Sequence, residues 1–142
     1  MTAAYDTNNI FAKILRGEIP SVRVYEDDGV VAIMDVMPQA NGHVLVIPKA
    51  PSRNILDADP ATLATVIAVV QRLAAAVKRA FAADGVTVMQ FNEAAGGQSV
   101  FHLHFHVVPR LEGVPLAPHS GQMEKSEILT ANAEKIRAAL AG

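Results

Sequence analysis

Three of the five histidines in this 142-residue chain, His102, His104 and His106, fall at alternate positions inside the apolar run from Phe101 to Pro109. On a β-strand, side chains alternate between faces and advance roughly 6.6 Å per two residues. The spacing therefore predicts one strand with the three imidazoles on one face and Leu103, Phe105 and Val107 in a core on the other. A face that needed only to be wet would be served by Thr, Lys or Glu. Imidazoles at this spacing supply a nucleophile, a general acid or base, a hydrogen-bond donor to phosphate, or a metal ligand. Taken alone, the triplet leaves phosphate chemistry and a zinc site with an open water position equally available.

The remaining elements must position that face. Ile10, Phe11, Ile14 and Leu15 are spaced for one side of a short helix, with Gly17 as its stop. Val22 to Glu26 alternates, Asp27-Asp28-Gly29 is a hairpin signal, and Val30 to Met34 is a second strand closed by Asp35. The turn Pro38 to Gly42 leads to a third strand, His43 to Ile47, stopped by Pro48. Asp59-Pro60 caps and opens a long helix with Leu63, Val66, Ile67, Val70, Leu73, Val77 and Phe81 along one side. Lys78 and Arg79 suit its C-terminal end, and Gly85 is its terminator. Val86, Val88 and Gln90 mark a fourth strand, and Asn92 to Ser99 a loop into the histidine strand. In that loop Gly96 and Gly97 would let backbone N–H groups approach a phosphate, with Asn92, Gln98 and Ser99 as neutral donors. Ser126 caps a last amphipathic helix through Leu140. Lys49, Arg53 and Glu93 read as solvated loop charges, and His119 as an exposed tail residue.

The strand order predicts an α+β domain: a five-stranded antiparallel sheet, a long helix on one face and short terminal helices. The length fits one domain over residues 1–142, with 111–142 as a C-terminal extension. A net charge of −2 provides no basic field, which argues against nucleic-acid binding. There is no cysteine, hence neither a disulfide framework nor a thiolate metal site. Met1 to Asn9 does not read as a secretory signal. The apolar stretch from Leu63 to Val77 is interrupted by Gln71 and Arg72, so it is a poor membrane span. The expected setting is cytoplasmic.

The run His102-Leu103-His104-Phe105-His106-Val107-Val108 fits the pattern H-φ-H-φ-H-φ-φ, with φ apolar, and resembles the signature of the histidine triad superfamily. Ile10-Phe11-Ala12-Lys13-Ile14, Asp35 with Pro38-Gln39-Ala40, Gly42 to Lys49, and the lead-in Gly96 to Val100 resemble further stretches of that family in the same order. The resemblance runs from Asn9 to Arg110.

It implies a HIT-like fold and binding of a purine nucleotide of the AMP or GMP type, without a cofactor. It also implies a homodimer with the sheet extended across the two-fold axis. The middle histidine, His104, would attack the α-phosphorus of a nucleoside phosphoramidate or related conjugate, and water would then hydrolyse the nucleotidyl-histidine to the monophosphate. His102 and His106 would donate to the non-bridging oxygens, His43 would support the triad, and Ser99 or His106 would pass a proton to the leaving group. Asp35 would take the ribose hydroxyls. Ile10, Phe11, Ile14, Ile33 and Val36 would wall the base, while Asn92, Gly97, Gln98 and Ser99 would contact phosphate or leaving group.

Gly96-Gly97-Gln98-Ser99 favours the phosphoramidase branch; dinucleoside polyphosphate hydrolysis is the alternative. A third reading is an interaction protein that binds nucleotides with vestigial hydrolysis. Some bacterial relatives hold a structural zinc through a C-x-x-C pair and histidines. Asn9 and Ala12 stand at the pair's positions here and Pro51 where a histidine often lies, so no metal is expected.

Overall fold

The structure, a computed structural model, describes residues 4–118 and 121–142, so His119 lies outside the described residues. Element order is α1 (Ile10–Leu15), β1 (Arg23–Glu26), β2 (Val30–Met34), β3 (Val44–Pro48), α2 (Pro60–Ala80), β4 (Gly85–Met89), a 3-10 turn (Ala94–Gly96), β5 (Phe105–Arg110) and α3 (Ser126–Ala141). The strands form one antiparallel sheet in the order β1-β2-β3-β5-β4.

Local chemistry explains most boundaries. The Asp27 carboxylate accepts from the N–H groups of Gly29 and Val30, both at 2.8 Å, and closes the β1–β2 hairpin. Asn9 caps α1 by accepting from Ala12 N–H at 2.9 Å. Asp59 caps α2 by accepting from Ala61 N–H at 2.8 Å, with Pro60 in the first turn. Two expected boundaries move. Helix α2 ends at Ala80, and the positive φ of 47° falls on Ala82, so Gly85 opens β4 instead of ending the helix. Helix α3 has Lys125 at its N-cap and Ser126 as its first residue.

The central strands β2, β3 and β5 are buried on both faces. Val30, Ala32, Met34, Val44, Val46, Leu103, Phe105 and Val107 meet Val66, Val69, Val70, Leu73 and Val77 of α2. Residues of opposite parity, Val31, Ile33, Leu45 and Ile47, meet Phe11 and Ile14 of α1. Period-two alternation puts these two sets on opposite faces, and each fully buried aliphatic side chain contributes roughly 1.5–3 kcal/mol. Helix α2 is long and apolar enough to cross a membrane, with a mean hydropathy of 1.6. Its Val66, Val69, Val70, Leu73, Ala76 and Val77 are buried in the core, which covers 33% of the apolar window, while Ile67 on the outer side is 50% exposed. Helix α3 lies against α2 and β1, where Arg137 donates to the Arg23 carbonyl.

One glycine requirement joins distant segments. Gly42, at φ +90°, lies so close to Phe81 at the end of α2 that a Cβ would sit 2.4 Å from Cε2 of that ring. This contact seats the turn that delivers His43.

Candidate active site

The histidine segment is only partly a strand. The ladder pairs Val44 with Val107, Leu45 with His106 and Val46 with Phe105, and goes no further. Pro48 has no N–H to donate, and its carbonyl accepts instead from His102 Nε2 at 2.7 Å. The expected strand through all three histidines therefore begins only at Phe105. Phe101 to His104 are held by side-chain pins and by one backbone bond, Leu103 N–H to the Ser52 carbonyl at 2.9 Å. The alternation survives: Leu103 and Phe105 enter the α2-side core, and His104 packs edge-on to Phe11 with ring centroids 4.8 Å apart. His104 and His106 have centroids 5.0 Å apart.

The partners fix where the ring protons sit. A backbone carbonyl only accepts, so His104 Nδ1, 2.7 Å from the His102 carbonyl, carries the proton. In the neutral ring the lone pair is then on Nε2. Gln39 N–H donates to His43 Nδ1 at 3.1 Å, which puts the His43 proton on Nε2, 2.9 Å from His106 Nδ1. His106 Nδ1 accepts it, so His106 holds its own proton on Nε2. The site thus joins one imidazole with an Nε2 lone pair to a second with an Nε2 donor.

His102 is different from the role the resemblance implies. It is fully buried, its Nε2–H goes to Pro48, and its Nδ1 accepts from the Tyr5 hydroxyl at 2.6 Å. Both ring nitrogens are engaged within the protein, so neither is presented to a phosphate. Burial pushes its pKa down, only partly offset by the Pro48 carbonyl, and the ring stays neutral.

The loop before the triad also closes on itself. Buried Gln98 accepts from Glu93 N–H (2.8 Å) and Asn54 Nδ2 (3.0 Å) and donates to the carbonyls of Arg53 (2.7 Å) and Val100 (3.0 Å). Its amide bonding is complete, which makes it a brace between two loops and not a phosphate donor. The N–H groups of Gly96, Gly97 and Gln98 bond to the carbonyls of Glu93, Ala94 and Glu93, so the expected phosphate cradle is not formed. Gly97 serves packing: at φ +99° its absent Cβ would lie 3.2 Å from Phe91, whose ring stands 5.5 Å from His106. Asn92 accepts from Ile55 N–H (2.9 Å) and exchanges bonds with Gln90, and so braces the loop as well.

Arg53 and Glu93 are paired with each other and not left to solvent alone. They form a two-point ion pair at 2.9 and 3.0 Å, Asn54 Nδ2 adds a 2.6 Å bond, and Arg53 stacks over Phe101. Arg53, followed by Asn54, holds the Glu93 carboxyl below the usual carboxylate range. Ser99 is exposed and lines a cleft of about 280 Å³ with Asp6, Asn9, Ile10, Arg53 and Phe101.

Asp35 follows β2 and sits at the other end of the histidine group. Its Oδ1 accepts from Met37 N–H at 2.9 Å, and Oδ2 is 3.5 Å from His43 Nε2. Of the apolar residues expected to wall a base, Ile10 and Val36 expose large areas, 46% and 41%. Phe11, Ile14 and Ile33 are buried in the α1-side core, because α1 covers that face of β2. They support a wall more than they form its surface.

Among the described residues, Asp35, His43 and His106 are the group whose geometry suits a metal ion, with candidate donor atoms within 4.8 Å of one another. Hydrogen bonding does not fit that use. With Gln39 N–H on His43 Nδ1, the Nε2 that would ligate must carry the proton, so coordination would require an imidazolate or a displaced Gln39. The three residues instead share the proton-bearing His43 Nε2 as their meeting point.

Tyr5, Phe91, Asn54 and Arg53 belong to the site's support and escaped sequence reasoning. Their role depends on partners 15–97 positions away, which no local pattern encodes. The nearest sequence signal was Phe91 flanking the loop.

A family model described as HIT domain matches residues 16–113. An uncharacterized HIT-like protein of Mycobacterium tuberculosis is 39% identical over 114 residues, covering 80% of this chain and 79% of that protein. Adenylylsulfatase HINT3 of Arabidopsis thaliana is 37% identical over 103 residues, covering 72% of this chain and 52% of that protein. The crystal structure of a Hit-like protein from Bartonella henselae, described as involved in cell-cycle regulation and holding an unknown ligand, superposes with a TM-score of 0.90. It is 65% identical and covers 96% of this chain and 99% of that one.

Proposed function

The chain belongs to the HIT family, whose members bind nucleotides and include hydrolases, and on that premise we propose that it cleaves nucleoside 5′-phosphoramidates or related nucleotide conjugates to the monophosphate. The observation that carries this reading is the proton arrangement: His104 with its lone pair on Nε2 beside His106 with its proton on Nε2.

His104 Nε2 attacks the α-phosphorus, a P–N bond forms, and the bond to the leaving group breaks. The His106 Nε2–H, held in that tautomer by the His43 Nε2–H behind it, steadies a non-bridging oxygen, and the departing amine takes its proton from solvent. Water then attacks the nucleotidyl-histidine, the P–N bond breaks, and the monophosphate leaves. His102 positions the nucleophile through its carbonyl. Asp35, its Oδ1 fixed by Met37, presents a carboxylate to ribose hydroxyls, and Ile10 and Val36 supply exposed apolar surface for a purine. Ser99, exposed in the cleft it shares with Ile10 and Arg53, is the group assigned to the leaving group in this reading.

The relative named adenylylsulfatase brings adenylyl sulfate into the same class, since sulfate there replaces the amine on the adenylyl group. Dinucleoside polyphosphates are the alternative conjugates. A homodimer fits the exposed β4 edge, where Val88 is solvent-exposed, and a cytoplasmic nucleotide pool is the setting assumed.

The test is AMP release from adenosine 5′-phosphoramidate in the presence of chelator, comparing the parent protein with His104→Ala. Turnover should survive chelation and fall by at least about three orders of magnitude in the variant while AMP binding persists. Near-normal turnover in His104→Ala would refute the covalent step. Loss on chelation alone would restore a metal mechanism, and no turnover in the parent would shift the substrate to adenylyl sulfate or diadenosine polyphosphates.

A further inference from the structure

We propose that Tyr5, in the segment ahead of α1, is a positioning residue for the nucleophile, acting on His104 through His102. The inference rests on His104 as the attacking group and adds what holds it in place.

His104 precedes the hydrogen-bonded ladder, which ends at the Val46–Phe105 pair. Its orientation depends on the bond from Nδ1 to the His102 carbonyl, so the placement of residue 102 sets the direction of the attacking lone pair. Three bonds place that stretch: Leu103 N–H to Ser52 O, His102 Nε2–H to Pro48 O, and Tyr5 O–H to His102 Nδ1. The first two come from the loop at the end of β3. Among the described residues, only the third comes from the other side of the ring, 97 positions away in sequence.

The direction of the Tyr5 bond follows from the assignment of the other ring nitrogen. Pro48 O requires the proton on Nε2, the buried ring is neutral, and Nδ1 therefore offers a lone pair to which the phenol donates. The Tyr5 ring stands edge-on to the imidazole, with centroids 5.6 Å apart at 67°, and lies next to the fully buried side chain. With both nitrogens bonded in opposed directions, the imidazole cannot rotate about its Cβ–Cγ bond without losing two hydrogen bonds. Removing the phenol leaves one pin and a hinge. A nucleophile that must meet phosphorus in line is sensitive to such slack, because a displacement of about 1 Å can cost about 100-fold in rate.

The experiment compares the parent with Tyr5→Phe, which keeps the ring and deletes only the hydroxyl. Two readouts are needed: kcat and KM for AMP release from adenosine 5′-phosphoramidate, and the ring-nitrogen and ring-proton NMR signals of His102 and His104. In the parent, His102 should be the Nε2–H tautomer with a hydrogen-bonded Nδ1, and the His104 Nδ1–H should be protected from solvent exchange. In Tyr5→Phe, His102 Nδ1 should shift toward the position of a bare lone pair and the His104 proton should exchange faster. The kcat should fall about five- to tenfold, the effect expected for one hydrogen bond, with KM and AMP affinity within about twofold.

An unchanged kcat and unchanged His104 signal in folded Tyr5→Phe would overturn the proposal. So would a parent His102 protonated on Nδ1, a result that needs no variant and stands even if Tyr5→Phe fails to fold. A parent protein inactive on phosphoramidates would defeat the proposed substrate class, while the NMR signals would still decide whether Tyr5 holds the triad.

Discussion

Gln98→Ala separates two roles for a residue that the family resemblance places at the phosphate. The structure surrounds it with four hydrogen bonds, to Glu93 N–H, Asn54 Nδ2, Arg53 O and Val100 O. Truncation leaves Asn54 Nδ2 satisfied, because it also donates to Glu93 at 2.6 Å. Three backbone groups then lose their partner. At about 1 kcal/mol net for each neutral bond the loss is roughly 3 kcal/mol. Water reaching the half-exposed Glu93 and Val100 lowers this to about 2–3 kcal/mol, since only a buried group bears the full cost of losing its partner. For a domain of this length that corresponds to a melting-point fall of about 6–10 °C. Thermal unfolding followed by circular dichroism, with AMP affinity measured by calorimetry well below the midpoint, gives both quantities on one sample. The brace predicts the stated fall in midpoint with AMP affinity within about threefold, since two braced loops loosen but no phosphate donor is lost. A midpoint shift under about 2 °C together with a tenfold or larger loss of AMP affinity would refute the reasoning and return Gln98 to the ligand.

Other outcomes follow from the same geometry. His43→Ala removes the N–H that fixes the tautomer of His106 and should lower kcat about 100-fold while AMP affinity changes little; a comparable loss of affinity would show that His43 binds the nucleotide instead of orienting His106. Gly42→Ala forces a Cβ to 2.4 Å from Phe81 at φ +90° and should destabilise by about 2–4 kcal/mol in urea unfolding, with an unchanged midpoint refuting the contact. The burial that depresses the His102 pKa means the unfolded chain binds the proton more readily. The resulting stability is fully present above the ordinary histidine value of about 6.5 and is lost as pH falls from there toward the depressed folded value. The urea midpoint should therefore drop below about pH 6.5, and His102→Asn should reduce that slope; an equal slope in the variant would assign the effect elsewhere.

The pattern of side chains along the chain determined a great deal. The strand Val30 to Met34, the alternation in Leu103 to Val107, the Asp27-Asp28-Gly29 hairpin and the Asp59-Pro60 helix start all reappear because each is fixed by backbone geometry within a few residues. The same short-range logic put His104 and His106 on one face. The polar partners were decided by tertiary structure alone. Pro48 ended the ladder and took His102 out of reach of a substrate, Asn54 and Arg53 claimed Gln98 and Glu93, and Tyr5 arrived from the far end of the chain. Sequence records which groups can donate or accept. Which of them meet depends on where loops 39–97 residues apart come to rest, and in a buried site each such meeting uses a group that the pattern had left available to a ligand.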